Sequence, residues 1–374
     1  MEYNLLYKNQ LVDNIYEACT CCYDNTKELD YLQKKSYIAK RINSGHESIL
    51  EHGKLAIIFK GITKPNQIAN VIGYEYSKWL EFYTTELENG TYNLIVNGSI
   101  RAYKHFLTHI TEDTYDTDII AKSIISILLH NTPKELYGEY YMIEDFLETH
   151  DFVDVEPDAI DIYNCRSGIF YDNIFVKEIH DVPLNKPDVK KEVIVGIDGI
   201  NLAPRPSLGY ENALEYLSQE GFNAYEIIDN IIPVTIVFKN MSRTATHQLV
   251  RHRNAITQES QRYVNASNAS FTIPVPTYKD KKFDVTLFGN TSNVSLEELA
   301  TELTNIYRQL FAQGLKKEEA RAFLPSNINC GRLYMTYTLA TLKAFIKLRT
   351  DSHAQYEIRK YATAIKEVMD TLEL

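Results

Sequence analysis

The feature that most constrains the fold is an apolar run with many β-branched residues, 231–238, followed almost at once by helical signals. The run IIPVTIVF has the length and composition of a buried strand. Ser242 is well suited to the N-cap of a helix, and residues 243–253 are predicted to form that helix. We expect Leu249 and Val250 to pack against the rest of the fold. The sequence therefore predicts a strand that turns directly into a short helix.

The end of this helix is the most cationic part of an otherwise acidic chain. Arg251, His252 and Arg253 are followed closely by Arg262, so up to four cationic side chains fall within twelve residues. Gln248 lies three residues before Arg251 on the same helix face, so an amide and a guanidinium can reach one ligand. With nearby hydroxyl and carboxylate groups, this mixture suits a nucleotide. A predicted loop supplies those groups through Thr257, Gln258, Glu259, Ser260 and Gln261.

Charge and composition narrow the class of ligand. With 39 basic and 50 acidic residues, the chain carries a formal net charge of −11. This balance argues against binding to bulk nucleic acid or a membrane surface, and favours a small anion in a local cationic site. No apolar run reaches the ~20 residues of a membrane span, and residues 1–4 lack the basic start of a secretory signal. Five cysteines without a complete zinc or disulfide spacing indicate a reducing compartment, so we expect a cytoplasmic protein.

Three sequence motifs lie in and beyond the cationic segment. The first comprises FKNMSR at 238–243 and HQLVRHR at 247–253, and the second is SQRY at 260–263. The third comprises ARAFLP at 320–325 and LRTDSHAQYEIR at 348–359. In this order and spacing they resemble the signature of the flavin-dependent thymidylate synthases, which methylate dUMP without a cysteine nucleophile. Agreement in three motifs is far more specific than a single Arg-His-Arg triplet.

The first half resembles the same family in an altered form. GHESILEH at 45–52 and LAIIFKGITK at 55–64 are similar to the segment that leads into the family's cationic helix. Setting Phe59 against Phe238 gives an offset of 179 residues, which places the Arg-His-Arg triplet on Ile-Gly-Tyr at 72–74. The first half has therefore lost the triplet.

A different part of the resemblance survives in the first half. Residues 98–107, GSIRAYKHFL, resemble the family's flavin-contacting helix, with Arg101 and His105 four residues apart. The matching positions in the second half are Ala340 and Ala344. Each half keeps what the other lacks, which predicts that two related modules divide one site between them.

The resemblance implies an α+β fold with a mostly antiparallel sheet flanked by long helices. We expect two synthase-like modules in tandem: 1–194, with a degenerate nucleotide site and the junction, and 195–374, with the Arg-His-Arg motif. Residues 111–194 match the family little, and we expect them to complete the first module and link it to the second. They are not expected to be a pure linker, because the segments 119–129 and 140–152 hold too much apolar and aromatic surface to stay solvated. The family forms tetramers, so a homodimer of two fused modules would imitate that arrangement.

The resemblance also implies a reaction and a set of site residues. We expect FAD as the cofactor, NADPH and methylenetetrahydrofolate as co-substrates, and dUMP as the methylated nucleotide. Arg349 is expected to face the uracil ring and to stabilise the negative charge that develops on it. The other expected dUMP contacts are Gln248, Arg251, Glu259, Ser260, Gln261, Arg262 and Arg321. The expected flavin contacts are Arg251, His252, Arg253, Asn254, Ser99, Arg101, His105 and His52, the last beside flavin or folate.

Several of these residues also fit plainer roles. His46 and His52 flank two glutamates, but paired buried histidines are commoner than a metal site, so no metal is expected. On the helix of Arg101 and His105, Ile100, Tyr103 and Phe106 are expected in the core, and the two polar residues fit a solvated cation and a core-edge imidazole equally well. Cys330 is expected to be a packed or partly exposed thiol, because the family attacks without a cysteine.

Two departures from the family pattern keep other functions open. The loop before Ser260 is one residue shorter than usual, so the role of Glu259 is ambiguous by one position, and the site is halved between the two modules. Apart from these departures, Ser352 and Gln355 have the spacing of a capping box, so this part of the third motif also fits a plain helix start. A halved site allows C5-hydroxymethylation, or methylation of another pyrimidine deoxynucleotide. The lost motifs also allow a non-catalytic regulatory subunit that binds flavin or nucleotide. Release of the C5 hydrogen of dUMP only with folate and NADPH would distinguish an enzyme from such a subunit.

Overall fold

The computed structural model describes residues 2–6, 11–23, 28–110, 118–137, 197–202, 211–252, 255–273 and 276–371. The first half contains the strands β1 (Glu2–Leu6), β2 (Lys54–Ile62), β3 (Glu81–Glu86) and β4 (Tyr92–Ser99). Its helices are α1 (Leu11–Tyr23), α2 (Tyr31–Asn43), α3 (Pro65–Gly73), α4 (Ile100–His109) and α5 (Ile119–Asn131). A 3-10 helix, Glu47–His52, precedes β2.

The second half has more elements, because a hairpin and two helices are inserted before its last strand. Its strands are β5 (Ile197–Leu202), β6 (Pro233–Lys239), β7 (Ala255–Gln258), β8 (Lys282–Leu287), β9 (Asn290–Ser295) and β10 (Arg332–Thr338). Its helices are α6 (Glu211–Gln219), α7 (Ala224–Ile231), α8 (Arg243–Leu249), α9 (Leu296–Ala312), α10 (Lys317–Ala320), α11 (Leu339–Arg349) and α12 (Tyr356–Thr371).

Each half builds a four-stranded sheet with the same order of strands. The first sheet runs β1-β2-β4-β3 and the second runs β5-β6-β10-β7. All strand pairs in both sheets are antiparallel. The predicted α+β class with antiparallel sheets and long flanking helices is confirmed.

The two sheets also agree in local detail. In β2, Phe59 pairs with Leu94, and in β6, Phe238 pairs with Leu333. The helix after the last strand starts in the same way in both halves, because the side chain of Ser99 caps α4 and that of Thr338 caps α11. The Phe59–Phe238 alignment made from sequence therefore coincides with the strand register.

The two halves pack on each other reciprocally. Ala56, Ile58 and Ile95, on one face of the first sheet, are buried in the same apolar cluster as α6 and α7 of the second half. Conversely, Cys21 near the end of α1 donates its thiol hydrogen to the carbonyl of Arg332 at 3.1 Å. The halves thus share a buried junction, and about 25 cal/mol is gained for each Å² of apolar surface removed from water there.

Two predictions concern the end of the first half. Helix α5 buries most of its apolar face, as expected for residues 119–129, although Ile119 itself is 44% exposed. The expected apolar segment at 140–152 lies outside the described residues. None of the helices in the described ranges is long and apolar enough to cross a membrane.

Candidate functional site

The cationic segment starts at a sharp turn between β6 and α8. Asn240 adopts a positive φ of 54°, a conformation that Asn tolerates better than most residues. Ser242 then caps α8, since its Oγ accepts a hydrogen bond from the amide of Ala245 at 3.1 Å. The N-cap prediction is confirmed, and it fixes the direction in which α8 leaves the sheet.

The predicted helix 243–253 is correct only in its first part. The α-helix ends at Leu249, and the chain tightens into a 3-10 turn, Val250–His252, before it enters β7. Leu249 is fully buried as expected, but Val250 is 41% exposed, so its predicted packing is wrong. The tighter turn rotates Val250 away from the face that Leu249 buries.

Arg251 presents its charge to solvent at this turn. It is exposed, and its guanidinium makes no ion pair or hydrogen bond with any described residue. A free guanidinium in a chain with a net charge of −11 fits an anionic group such as a phosphate. Arg253 and Asn254, also expected to bind flavin, lie outside the described residues.

Arg349, at the end of α11, reaches the same turn. Its Nε donates a hydrogen bond to Nε2 of His252 at 3.0 Å. The ring of His252 also packs edge-on against Phe345, with a centroid distance of 5.0 Å. Burial, and then the positive charge of Arg349, lower the pKa of His252 below its ordinary value. The residue expected at the uracil ring and one expected at the flavin are therefore neighbours.

The nucleotide segment begins as a strand and not as a loop. Thr257 and Gln258 belong to β7, which pairs with β10, so the predicted loop starts only at Glu259. The amide of Ser260 donates to the carbonyl of Cys22 at 3.3 Å, which ties this segment to α1 of the first half. Gln261 is buried, so its side chain is not presented openly to a ligand.

Glu259 lies directly against Gly331, the residue before β10. A Cβ added at Gly331 would come within 2.0 Å of Oε2 of Glu259. The absence of a side chain at Gly331 therefore lets this carboxylate sit beside the start of β10. This close packing gives Glu259 a structural role, which the ligand-binding prediction did not include.

The two arginines expected near the nucleotide share a carboxylate-bearing neighbour. Nε of Arg262 lies 3.4 Å from Oε2 of Glu318, and Nε of Arg321 donates to the carbonyl of Glu318 at 3.3 Å. Lys317 donates to the carbonyl of Tyr263 at 2.9 Å, which holds α10 against the same segment. Arg262 and Arg321 are thus brought together, although they are 59 residues apart.

Gln248, the remaining nucleotide candidate, faces the end of the chain. Its Nε2 donates to Oε1 of Gln355 at 3.4 Å. Oε1 of Gln355 also accepts from the amide of Ile358, three residues on, and α12 starts at Tyr356. The cap at this helix start is therefore Gln355, and the capping box expected from Ser352 is not the one observed.

The first half contributes the predicted flavin helix. The core prediction for α4 is confirmed, because Ile100, Tyr103 and Phe106 are fully buried. Arg101 is exposed and forms an ion pair with Glu51 on the 3-10 helix Glu47–His52. His105 is half-buried beside His109, and burial followed by the His109 charge lowers the pKa of His105. No described contact joins Arg101 or His105 directly to Arg251.

His52 lies in the junction between the halves. Its ring is only 1% exposed, and both nitrogens are hydrogen-bonded to threonines of the second half: Nδ1 to Thr336 at 2.8 Å and Nε2 to Thr257 at 3.0 Å. Burial, and then nearby Lys54, lower the pKa of His52 to about 3. The neutral ring fastens β7 to the first half, so β7 follows any movement of the helix that carries His52.

Around α4, several positions of the first half hold charged residues, whereas the equivalent positions of the second half hold small apolar residues. Equivalent positions follow from the strand pairing, since Lys54 pairs with Ser99 as Pro233 pairs with Thr338. The charged residues are Lys54, Glu81 and Arg101, and their counterparts are Pro233, Ala255 and Ala340. Burial lowers the pKa of the Lys54 amine, which no described residue bonds.

Sequence reasoning missed several residues that shape this site. Cys22, Thr336 and Glu318 act through contacts between segments far apart in the chain, which no local pattern predicts. Cys330 is buried, accepts a hydrogen bond from Gln258, and has a pKa raised by burial, so it is a packed neutral thiol. Among the described residues, no three His, Cys, Asp or Glu side chains are grouped to bind a metal ion.

Known proteins resemble the second half of this chain. The model of the thymidylate synthase complementing protein family matches residues 226–372. The flavin-dependent thymidylate synthase of Pyrococcus furiosus is 35% identical over 138 residues, which are 36% of this chain and 53% of that protein. That of Corynebacterium diphtheriae is 30% identical over 142 residues, 36% of this chain and 56% of that protein.

The described residues thus form an α+β protein in which a cationic 3-10 turn is exposed beside Arg349. Residues 226–372 are similar to the thymidylate synthase complementing protein family, and the relatives named above match the same half of the chain. The chain spans about half the length of the curated relatives it matches. The matched segment includes α8, the 3-10 turn with Arg251 and His252, and α11 with Arg349.

Proposed function

We propose that the chain is a flavin-dependent thymidylate synthase, which methylates dUMP to dTMP with methylenetetrahydrofolate and NADPH. The observation that carries the proposal is the contact between Arg349 and His252, 97 residues apart. It brings the arginine predicted to act on the uracil ring to the turn predicted to hold the flavin. The relatives named flavin-dependent thymidylate synthase support the same assignment.

The donor groups of the second half fit the proposed ligands. The open guanidinium of Arg251 suits a phosphate of FAD or of dUMP, while Arg262 and Arg321 supply further positive charge for the nucleotide. Arg349 keeps a planar fork beside the turn and stabilises negative charge on the uracil ring, which makes C5 more nucleophilic. Held beside these residues, a flavin reduced by NADPH would supply the hydride that completes the methyl group.

One complete site is proposed to need residues from both halves. The shared strand order supports two related modules, 1–194 and 195–374, and the junction at His52 and Thr257 supports their close cooperation. The first half supplies Ser99, Arg101 and His105 on α4. In this view, a cytoplasmic homodimer would contain four modules. The flavin-helix residues would be present only in the two first modules, and the cationic turn only in the two second modules.

Mass spectrometry of the nucleotide product tests the reaction. Purified protein with FAD, NADPH, methylenetetrahydrofolate and dUMP is expected to produce dTMP and to release the C5 hydrogen. Omission of either co-substrate should stop both. A product one oxygen heavier than dTMP would replace methylation by hydroxymethylation. Flavin and nucleotide binding without any C5 hydrogen release would identify a regulatory subunit and would overturn the proposed activity.

A further inference from the structure

The segment between Arg349 and Glu357 follows α8 and its 3-10 turn from end to end. At the far end, Arg349 donates to His252 at 3.0 Å, and in the middle Gln248 donates to Gln355 at 3.4 Å. At the start, both oxygens of Glu357 accept hydrogen bonds from Ser242, from its amide at 2.8 Å and from its hydroxyl at 2.5 Å. Three contacts in register thus join this segment to the element that carries the cationic turn.

Glu357 differs from the other two partners in its burial. It is 4% exposed, whereas Arg349 and Gln355 are half-buried. Burial raises the pKa of Glu357, and the two hydrogen bonds from Ser242 act in the opposite direction. A buried carboxyl group is costly unless its oxygens are satisfied, so the contact with Ser242 is strongly preferred over any displaced arrangement.

Ser242 is also the residue from which α8 begins. Its Oγ donates to Glu357 and at the same time accepts from the amide of Ala245 in the first turn of α8. Helix α8 has only seven residues, roughly 10 Å at 1.5 Å per residue. So short a helix moves as a rigid unit, and a change at Ser242 displaces Arg251 and His252 as well.

We propose that Glu357 is a positioning residue that sets where the cationic turn stands relative to Arg349. It touches no ligand; it acts through Ser242 and α8. Its consequence for flavin binding rests on the proposed function, but its effect on the contact between His252 and Arg349 does not. The carboxylate that holds the N-cap residue of α8 therefore controls the geometry at the other end of the helix.

The variant Glu357→Gln tests this role, with Glu367→Gln on the exposed face of α12 as the matched control. Glutamine keeps the size of the side chain but places a donor where the hydroxyl of Ser242 requires an acceptor. Histidine NMR of the ligand-free protein is expected to show the His252 pKa rising toward its ordinary value, because the bond from Arg349 is loosened. FAD should bind at least about tenfold more weakly, since a hydrogen bond to a charged group is lost. Both readouts should be unchanged in Glu367→Gln.

The two readouts separate the possible failures. A lower melting temperature with an unchanged His252 titration and unchanged FAD affinity would overturn the positioning role and leave Glu357 purely structural. If the wild-type protein binds no FAD, the proposed function fails, and the His252 titration alone still decides the role of Glu357. Should Glu357→Gln not fold, Ser242→Ala deletes only the hydroxyl of the pair, and the same shift of the His252 pKa is expected.

Discussion

Arg349 donates a hydrogen bond from Nε to Nε2 of His252 at 3.0 Å, although the two residues are separated by 97 positions in the chain. A protonated imidazole has no lone pair at Nε2, so this bond exists only while His252 is neutral. Burial and the charge of Arg349 lower the pKa of His252, which keeps the ring in the required form. Arg349 is thus oriented by a neutral partner that leaves its positive charge uncompensated.

Replacing Arg349 with lysine should reduce turnover much more than it reduces dUMP affinity. Lysine keeps the charge but loses the planar fork, so the lost contact is one that strengthens toward the transition state. We expect a loss of ~2–4 kcal/mol in transition-state stabilisation, by analogy with the removal of one oxyanion-type donor. Steady-state kinetics and dUMP titration measure the two effects. Full turnover, or an equal loss of NADPH oxidation by the flavin alone, would assign Arg349 a structural role.

The buried ring of His52 predicts a specific loss of stability in acid. The pKa of His52 is lowered to about 3 from 6.5, so the unfolded chain binds a proton that the folded chain refuses. The contribution of the neutral His52 ring to the free energy of unfolding is fully present above pH 6.5 and is lost as the pH falls from 6.5 toward 3. Proton linkage sets the size of this loss at on the order of a few kcal/mol. Urea unfolding at several pH values should show that the free energy of unfolding falls less steeply with decreasing pH in His52→Gln than in the wild-type protein. The exposed His353→Asn serves as the control, and an unchanged limb in His52→Gln would contradict the assignment.

Gly331 and Glu259 should behave as a coupled pair. In Gly331→Ala, the new Cβ would meet Oε2 of Glu259 at 2.0 Å, so the carboxylate must move. Because the clash falls on the far end of a flexible side chain, the cost should lie at the low end of the roughly 1–3 kcal/mol typical of overpacking, and the displaced Glu259 should weaken dUMP binding. Adding Glu259→Ala should restore most of the stability but not the nucleotide affinity. Gly73→Ala, with no atom within 4 Å of its Cβ, is the control. Additive losses in the double variant would exclude the proposed contact.

Glu318 should oppose nucleotide binding. Its carboxylate lies 3.4 Å from Nε of Arg262, one of the arginines assigned to dUMP. Exposed ion pairs are worth 0.2–1 kcal/mol in double-mutant cycles, so Glu318→Gln should tighten dUMP binding by roughly up to fivefold. Calorimetric titration at low ionic strength measures the change, and Glu302→Gln on α9 controls for net charge. Weaker dUMP binding in Glu318→Gln would show that the carboxylate supports the site.

Local sequence patterns predicted those secondary-structure features that depend only on residues near one another in the chain. The N-cap at Ser242, the strand before it and the buried face of α4 follow from residue type and spacing, and the structure has all three. The α-helix was extended too far because nothing in residues 250–253 signals the 3-10 turn. That turn is needed only because β7 must reach β10, which lies some 75 positions further along the chain.

The sequence motifs identified residues of the candidate site but not the contacts between them. The motifs named Arg349, His252 and Gln248, yet no spacing indicated that Arg349 would bond to His252 or that Gln248 would face Gln355. Such pairings depend on how α11 and α12 pack on the second sheet. The buried state of His52 was one of the readings expected from sequence, but its threonine partners were not, since they come from the other half of the chain.

The flavin content of four purified proteins tests most directly whether both halves complete one site. Wild-type protein, Arg251→Ala in the second half and Arg101→Ala in the first are reconstituted with FAD, and bound flavin per chain is read from absorbance. Lys40→Ala, an exposed cation on α2, controls for loss of charge. The account predicts that both arginine variants lose flavin while Lys40→Ala keeps the wild-type content. Normal flavin content in Arg101→Ala, with loss only in Arg251→Ala, would contradict it and confine the site to the second half.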